Sequence, residues 1–408
     1  MLALTTGYPA RAAQWLLVPE VSLTQGFTDH SRFVSAEHAS AEVYTTIAPG
    51  LGAALAWEDF VLLGRGYASA GYRSETGETL FGGGHAGLGW NISERLALAL
   101  DYQGAIGQEV STGIPPESRT MEGGEVAVPP GGMAAPRAGT PLITAAQTRE
   151  LVIISHSAST GFRVVLTPVL DLRAGAEASM RQQAPLQAGP TAATDDYAYA
   201  GSGGVGYTLS PTTSAQLSYT GGSYLNRQRE ATSIFHGGTA ELRQEFSARF
   251  TVSAELGMRM AIPARTGEPV YAPVGGVEAS YRWPRTLVQG ALSRALVLDA
   301  TLGGTSLSYL AMLGGRHQLL PQLELAVGLR GSWTELSVEE ELGVRTGSQS
   351  GYVDYQLELV ASWRLSRSYR LEGRFERYFT MGLTQGQGDT TAPNQGNAVE
   401  IVFAARWD

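Results

Sequence analysis

Charged side chains in this sequence recur at even spacings within short segments, a pattern that lines a wall rather than builds a pocket. Asp171, Arg173, Glu177 and Arg181 share one parity, as do Glu255 and Arg259, Glu278 and Arg282, Glu324 and Arg330, and Asp354 and Glu358. Arg370, Glu372, Arg374 and Glu376 continue the pattern without a break. Successive side chains of an extended strand point to opposite faces, so each set occupies one face. Carboxylates and guanidiniums arranged this way offer many weak hydrogen-bond partners to water and to polar solutes. Pairs of such carboxylates have the composition of a glycosidase site, but mixed ladders of charge are expected of any wall that faces water.

The remaining chemistry-bearing residues are sparse. The six histidines are His30, His38, His85, His156, His236 and His317. Only Ser155-His156-Ser157 invites a nucleophile reading, and no Gly-x-Ser-x-Gly context surrounds it. A histidine among serines on a strand reads as a polar side chain facing the wet side, so an enzyme is not expected. Glu339-Glu340-Glu341 is the one acidic run and reads as a solvated loop, without a metal site. Gly82-Gly83-Gly84 and Gly203-Gly204 have no helix behind them to complete a phosphate cradle. They read as points of curvature or close packing, and no cofactor is expected.

The elements that must carry these residues are strands. Leu323, Leu325, Val327 and Leu329 alternate with Gln322, Glu324, Ala326, Gly328 and Arg330, a strict period of two. Similar stretches cover 14–28, 41–55, 58–73, 78–92, 95–109, 146–164, 168–183, 195–209, 214–228, 233–246, 250–262, 270–283, 286–300, 305–318, 321–336, 350–364, 368–381 and 397–408. That is about 18 strands, with 16 compatible with the usual uncertainty of segment ends. Short connections such as Ser93-Glu94-Arg95, Ser210-Pro211-Thr212-Thr213, Trp283-Pro284-Arg285 and Ser366-Arg367-Ser368 hold Pro and Ser, which favour turns. They contrast with longer ones at 29–40, 110–145, 184–194, 263–269, 337–349 and 382–396. Short turns on one side and long loops on the other are the pattern of periplasmic turns and extracellular loops. Both termini then lie on the short-turn side, which requires an even strand number. The stretch 110–145, rich in Pro and Gly, is either outside the cell or folded into the lumen as a constriction.

The expected fold class is therefore all-β: a transmembrane antiparallel β-barrel. Only helices and closed barrels satisfy every backbone polar group within a bilayer, and no run of 18 or more apolar residues is present. Hydrophobic residues make up only 43% of the 408, and Gly reaches 51, values that suit a barrel with one polar face. Aromatics gather near segment ends (Trp15, Trp90, Tyr281, Trp283, Trp363, Tyr378, Trp407), as interfacial girdles do. The segments also exceed the ~5–6 residues usual in soluble sheets. Leu170, Leu172, Ala174, Ala176 and Met180 face lipid in this reading, as do Leu96, Leu98, Leu100 and Tyr102. The sixteen charged residues named above face the lumen as the transport path. The last segment alternates through Val399, Ile401, Phe403, Ala405 and Trp407, like the terminal strand read by the barrel-assembly machinery, although Asp408 follows the aromatic.

Cysteine is absent, which excludes disulfides and thiol chemistry; every one of the 29 basic residues is Arg. A net charge of −9 without a basic stripe argues against nucleic acid. Residues 1–13 end in Ala10-Arg11-Ala12, like the tail of a signal peptide with cleavage after Ala12 or Ala13, leaving one barrel domain over 14–408.

Trp15-Leu-Leu-Val-Pro19, then Phe27-Thr28-Asp29, then Tyr44-Thr-Thr-Ile-Ala-Pro49-Gly50 resemble the opening of exopolysaccharide-associated outer-membrane barrels. These accompany Wzx/Wzy-type polysaccharide pathways of myxobacteria, with related forms in exosortase-linked clusters. In that group Asn usually follows the Thr-Asp pair; here it is His30. The likeness covers about the first 55 residues. It implies a porin-like terminal conduit for a secreted polysaccharide, partnered by the polymer and by a periplasmic co-polymerase or export protein. Outer-membrane lipid and lipopolysaccharide would surround it. The alternatives are a small-solute porin and a non-conducting scaffold or adhesin.

Overall fold

In the computed structural model, the described residues are 14–29, 41–57, 59–74, 77–109, 151–185, 194–226, 231–264, 267–298, 305–337, 350–384 and 394–407. The proposed signal remnant, the 110–145 stretch and the Glu339 to Glu341 run lie outside them.

Eighteen strands form one antiparallel sheet that closes on itself. They are β1 (Gln14–Thr28), β2 (Glu42–Ala56), β3 (Phe60–Arg73), β4 (Gly77–Ser93), β5 (Leu96–Glu109) and β6 (Leu151–Thr167). Then follow β7 (Leu170–Pro185), β8 (Thr194–Ser210), β9 (Thr213–Asn226), β10 (Ala231–Ser247), β11 (Phe250–Ile262) and β12 (Val270–Arg282). The last are β13 (Thr286–Leu298), β14 (Thr305–Leu320), β15 (Leu323–Ser337), β16 (Ser350–Arg364), β17 (Tyr369–Thr384) and β18 (Asn394–Arg406). Each strand pairs with its neighbours in sequence, and β1 pairs with β18 from Glu20↔Arg406 to Thr28↔Ala398, which removes both edges. The count matches the expected eighteen, and most ends lie within three residues of the sequence pattern.

The tight turns are specified locally. Ser93 Oγ accepts from the backbone N–H groups of Arg95 and Leu96, Ser247 Oγ from Arg249 and Phe250, and Ser366 Oγ from Ser368 and Tyr369. A hydroxyl at the first position thus satisfies donors that the turn would otherwise leave unpaired. Register shifts fall beside these turns, at Asn91/Ser93, Val165/Thr167, Thr208/Ser210, Glu245/Ser247 and Gln318/Leu320.

Burial is inverted relative to a water-soluble body. Glu42, Glu372, Arg374, Glu376 and Glu400 are buried, whereas Leu217, Leu256, Leu292 and Ile47 are at least half exposed. Such a surface is stable only against lipid, because leaving it in water forgoes ~25 cal/mol per Å² of apolar area. Aromatic rows mark both ends of the apolar band. Phe246, Phe250, Tyr281 and Trp283 pack ring to ring in series at the turn side, with centroids 5.5, 6.1 and 4.1 Å apart. Tyr309 and Trp333 (5.1 Å) and Tyr355 and Phe379 (6.4 Å) stack toward the loop side. Closed sheet, oily exterior and two aromatic belts make this a Gram-negative outer-membrane barrel.

One seam is shorter than the rest. The β12–β13 ladder runs only from Gly275↔Arg294 to Arg282↔Leu287, leaving Val270 to Val274 without partners on β13. Pro273 lies within that stretch and has no N–H to donate. A small apolar cluster of Ala261, Ala272, Val274 and Leu296 packs there instead.

Candidate functional site

Strand register fixes which side chains share a face, because residues paired across an antiparallel ladder point the same way. Starting from Glu255, the ladders link Glu241, Glu278, Arg259 and Arg282 on one face. From Asp171 the same holds for Arg173, Glu177 and Arg181. Glu324 and Arg330 on β15, Asp354 and Glu358 on β16, and Arg370, Glu372, Arg374 and Glu376 on β17 follow through the ladders β15–β16–β17. All sixteen sequence-selected residues therefore lie on the inner face, opposite the lipid-facing leucines.

The structure divides them into three groups. The first spans β16–β18 and β1–β3. Arg374, 6% exposed, reaches Glu358 (3.1 Å), Glu372 (3.3 Å) and Glu400 (3.8 Å). Gln356 donates to Glu376 at 3.0 Å, and Arg370 lies 3.7 Å from Glu372. Tyr44 donates its hydroxyl to Glu400 from two strands away, crossing β1 over Gly26, where a Cβ would meet the ring. Arg65 likewise crosses β2 to Glu20 at 2.5 Å, and Gly50 provides the gap. Arg73 pairs with Glu42 at 3.0 Å and lies 4.9 Å from the Tyr44 ring. Glycines on the middle strand thus let polar side chains bridge over it.

The second group lies on β6–β9. Asp171 receives Arg173 (2.6 Å) and Arg163 (3.1 Å), and Arg173 also donates to Gln216 at 2.8 Å. On the adjoining wall His85 meets Asp101 at 2.5 Å. The third group is different. Glu241 sits directly opposite Glu255 in the ladder, and Glu278, opposite Ser253, is diagonal to Glu255. Among the described residues none of these three carboxylates has an ion-pair partner. In the order of the sheet, β10–β12 lie half a turn from β1–β3. A wall held by ion pairs therefore faces one whose three carboxylates make none within 4 Å, although Arg243, Arg259 and Arg282 share its face.

Three sequence expectations need correction or refinement. His156 faces lipid, not the lumen: Ser155, Ser157 and Ser159 take the inner parity, so the intervening histidine must point outward. Tyr102 lies beside it, its hydroxyl 2.7 Å from Nδ1, which satisfies the ring in an apolar setting. His236 repeats the device with Tyr219 at 2.8 Å. Ser155 and Ser157 therefore cannot reach His156, and a Ser-His dyad is excluded there. Tyr378 does not belong to a girdle; it pairs in register with Gln356 on the inner face and is 4% exposed. Arg259 is inward as expected, but its Nη1 donates to the carbonyl oxygen of Leu296 at 3.4 Å, so it braces the short seam rather than meeting solute.

Glu20, Glu42, Tyr44, Arg65, Arg73, Glu241 and Glu400 were not singled out from sequence. Isolated charges in Gly-rich segments give little pattern, although the even spacing of Glu42 and Tyr44, or of Arg65 and Arg73, carries the same parity signal. Gly83 is a close-packing site: a Cβ there would strike the Tyr67 ring, which itself stacks on Phe81 at 5.9 Å. No group of three or more metal-ligating side chains occurs among the described residues.

No family model matches the chain, and no curated protein matches it. Solved structures with a similar barrel include the ferric enterobactin receptor of Pseudomonas aeruginosa (8% identity, 96% of this chain and 80% of that one, TM-score 0.48). Others are the siderophore receptor PirA of the same organism (8%, 96% and 80%, TM-score 0.45) and the FrpB iron transporter of Neisseria meningitidis (8%, 95% and 81%, TM-score 0.48). Likeness at this level says nothing about ligand or partner.

Proposed function

We propose that this outer-membrane barrel is the terminal conduit through which a polysaccharide leaves the cell. The observation that supports this most is the inner wall: charged and hydroxyl side chains around a closed cylinder of 18 strands. Strand numbers of about 16–18 leave an aqueous channel, whereas about 8 are filled by side chains. For strands ~4.8 Å apart and tilted ~40°, eighteen give a cylinder ~35 Å across between backbones. Part of the wall is tied up in its own ion pairs, as in Arg374 with its three glutamates. Charged groups of both signs spread over such a wall give a sugar chain shallow contacts and no tight site, and conduction requires binding weak enough to leave. The proposed partners are the polymer and a periplasmic export or co-polymerase protein, and no reaction chemistry is assigned to the barrel.

The test is a deletion strain. Polymer retained with the cells, with released polymer lost and restored by the wild-type gene, supports export. Unchanged release removes it. A small-solute porin is the second reading, favoured by Glu241, Glu255 and Glu278, a cluster of carboxylates without ion pairs that would favour cations, which a neutral sugar does not need.

A further inference from the structure

Arg294, like Glu335 and Arg377, is a charged side chain that the register turns to the outer surface, where a channel account gives it no place. Register puts Arg294 on the lipid face: Tyr281, an outward residue, pairs with Val288, and Leu292 and Arg294 continue that parity. Its guanidinium lies 5.4 Å from the Tyr309 ring, which stacks on Trp333 at 5.1 Å. Its Nε is buried without a hydrogen-bond partner, and no carboxylate among the described residues pairs with it. A groove of about 600 Å³ runs beside it, floored by Leu256, Val277, Leu292 and Val353 and walled by Tyr355.

Height gives the second observation. Arg294 stands eight residues along β13 from its start at the turn side. At ~3.3 Å per residue and ~40° of tilt, that is ~20 Å above the Trp283 level and ~15 Å above Tyr281, in the upper half of a ~25 Å apolar band. Tyr309 pairs with Arg294 in register and Trp333 with Tyr309, while Tyr355 lies diagonal to Trp333, two residues nearer the turns. A guanidinium there reaches the headgroup layer while its stem stays in hydrocarbon. The planar donors of its guanidinium match a phosphate.

We propose that Arg294, Tyr309 and Trp333 form a site for a phosphorylated glycolipid of the outer leaflet, phosphate on the guanidinium, sugar on the aromatic pair and an acyl chain in the groove. The occupant is lipid, not a free anion, because the groove continues into the apolar band. The site stands apart from the conduction reading and survives if that reading fails.

Native mass spectrometry of the barrel, released from micelles containing lipid A, tests this. Wild-type protein should retain bisphosphorylated lipid A about tenfold better than the same lipid with both phosphates removed, the scale of one charge-assisted bond. Arg294→Gln should abolish that preference and Arg294→Lys retain part of it, with heat-shifted electrophoretic mobility confirming folding. Inorganic phosphate should not displace the lipid. Equal retention of the two lipids by the wild type, an unchanged preference in Arg294→Gln, or displacement by inorganic phosphate would each overturn the proposal. The wild-type comparison decides it even if the variants do not fold.

Discussion

Arg259 donates to the carbonyl oxygen of Leu296 across β12, at 3.4 Å, where β12 itself makes no ladder to β13. A lumen-facing charge thereby replaces a backbone donor that Pro273 cannot supply. Arg259→Ala should lower stability by about 1 kcal/mol, the usual net worth of such a bond. Urea unfolding of the refolded protein in detergent reads this directly, and Arg259→Lys should recover less than half the loss.

Arg374 holds Glu358, Glu372 and Glu400 together, and the guanidinium is almost wholly buried. Its removal leaves three carboxylates without their common cation, a loss of about 3 kcal/mol or more. Arg374→Ala is expected to lower the temperature at which the folded band disappears on electrophoresis. Arg374→Lys should restore only part, since a point charge cannot serve three partners as a planar fork does.

Gly26 and Gly203 separate two uses of glycine. A Cβ at Gly26 would run into the Tyr44 ring as it crosses to Glu400, whereas one at Gly203 meets nothing within 4 Å. Gly26→Ala should cost about 1–3 kcal/mol through forced displacement of the ring. Gly203→Ala should stay within about 0.5 kcal/mol. Equal unfolding midpoints for the two variants would contradict the bridging arrangement.

Glu241, Glu255 and Glu278 cluster on the lumen face without ion pairs among the described residues. In planar bilayers with a salt gradient, the wild-type channel should prefer cations, and the triple substitution to Gln should move the reversal potential toward zero. High salt should weaken the preference through screening, with a Debye length of ~3 Å at 1 M.

The fold was largely legible because the period of two is a physical requirement of a strand between lipid and water. The parity of Asp171 to Arg181 and of Arg370 to Glu376 could be read directly, and the ladders place them as read. Composition misleads where it conflicts with parity. The polarity of His156 points to water, although its serine neighbours occupy that face. The aromatic ring of Tyr378 near a strand end points to a girdle, although it shares parity with Glu376. The grouping of charges into paired and unpaired clusters is not legible in the sequence. It depends on which strands become neighbours and on glycines such as Gly50 that open a path over a middle strand.

One face of every strand meets water and the other lipid. The chain contains no cysteine, so single substitutions can report accessibility without background. Val252, Ser253, Ala254, Glu255 and Leu256 on β11 should each be replaced by cysteine in turn, and the protein treated in liposomes with a charged, water-soluble thiol reagent. Labelling at 253 and 255 but not at 252, 254 and 256 is the predicted result. Labelling at all five positions, or at the leucine side alone, would contradict a wet-lumen barrel.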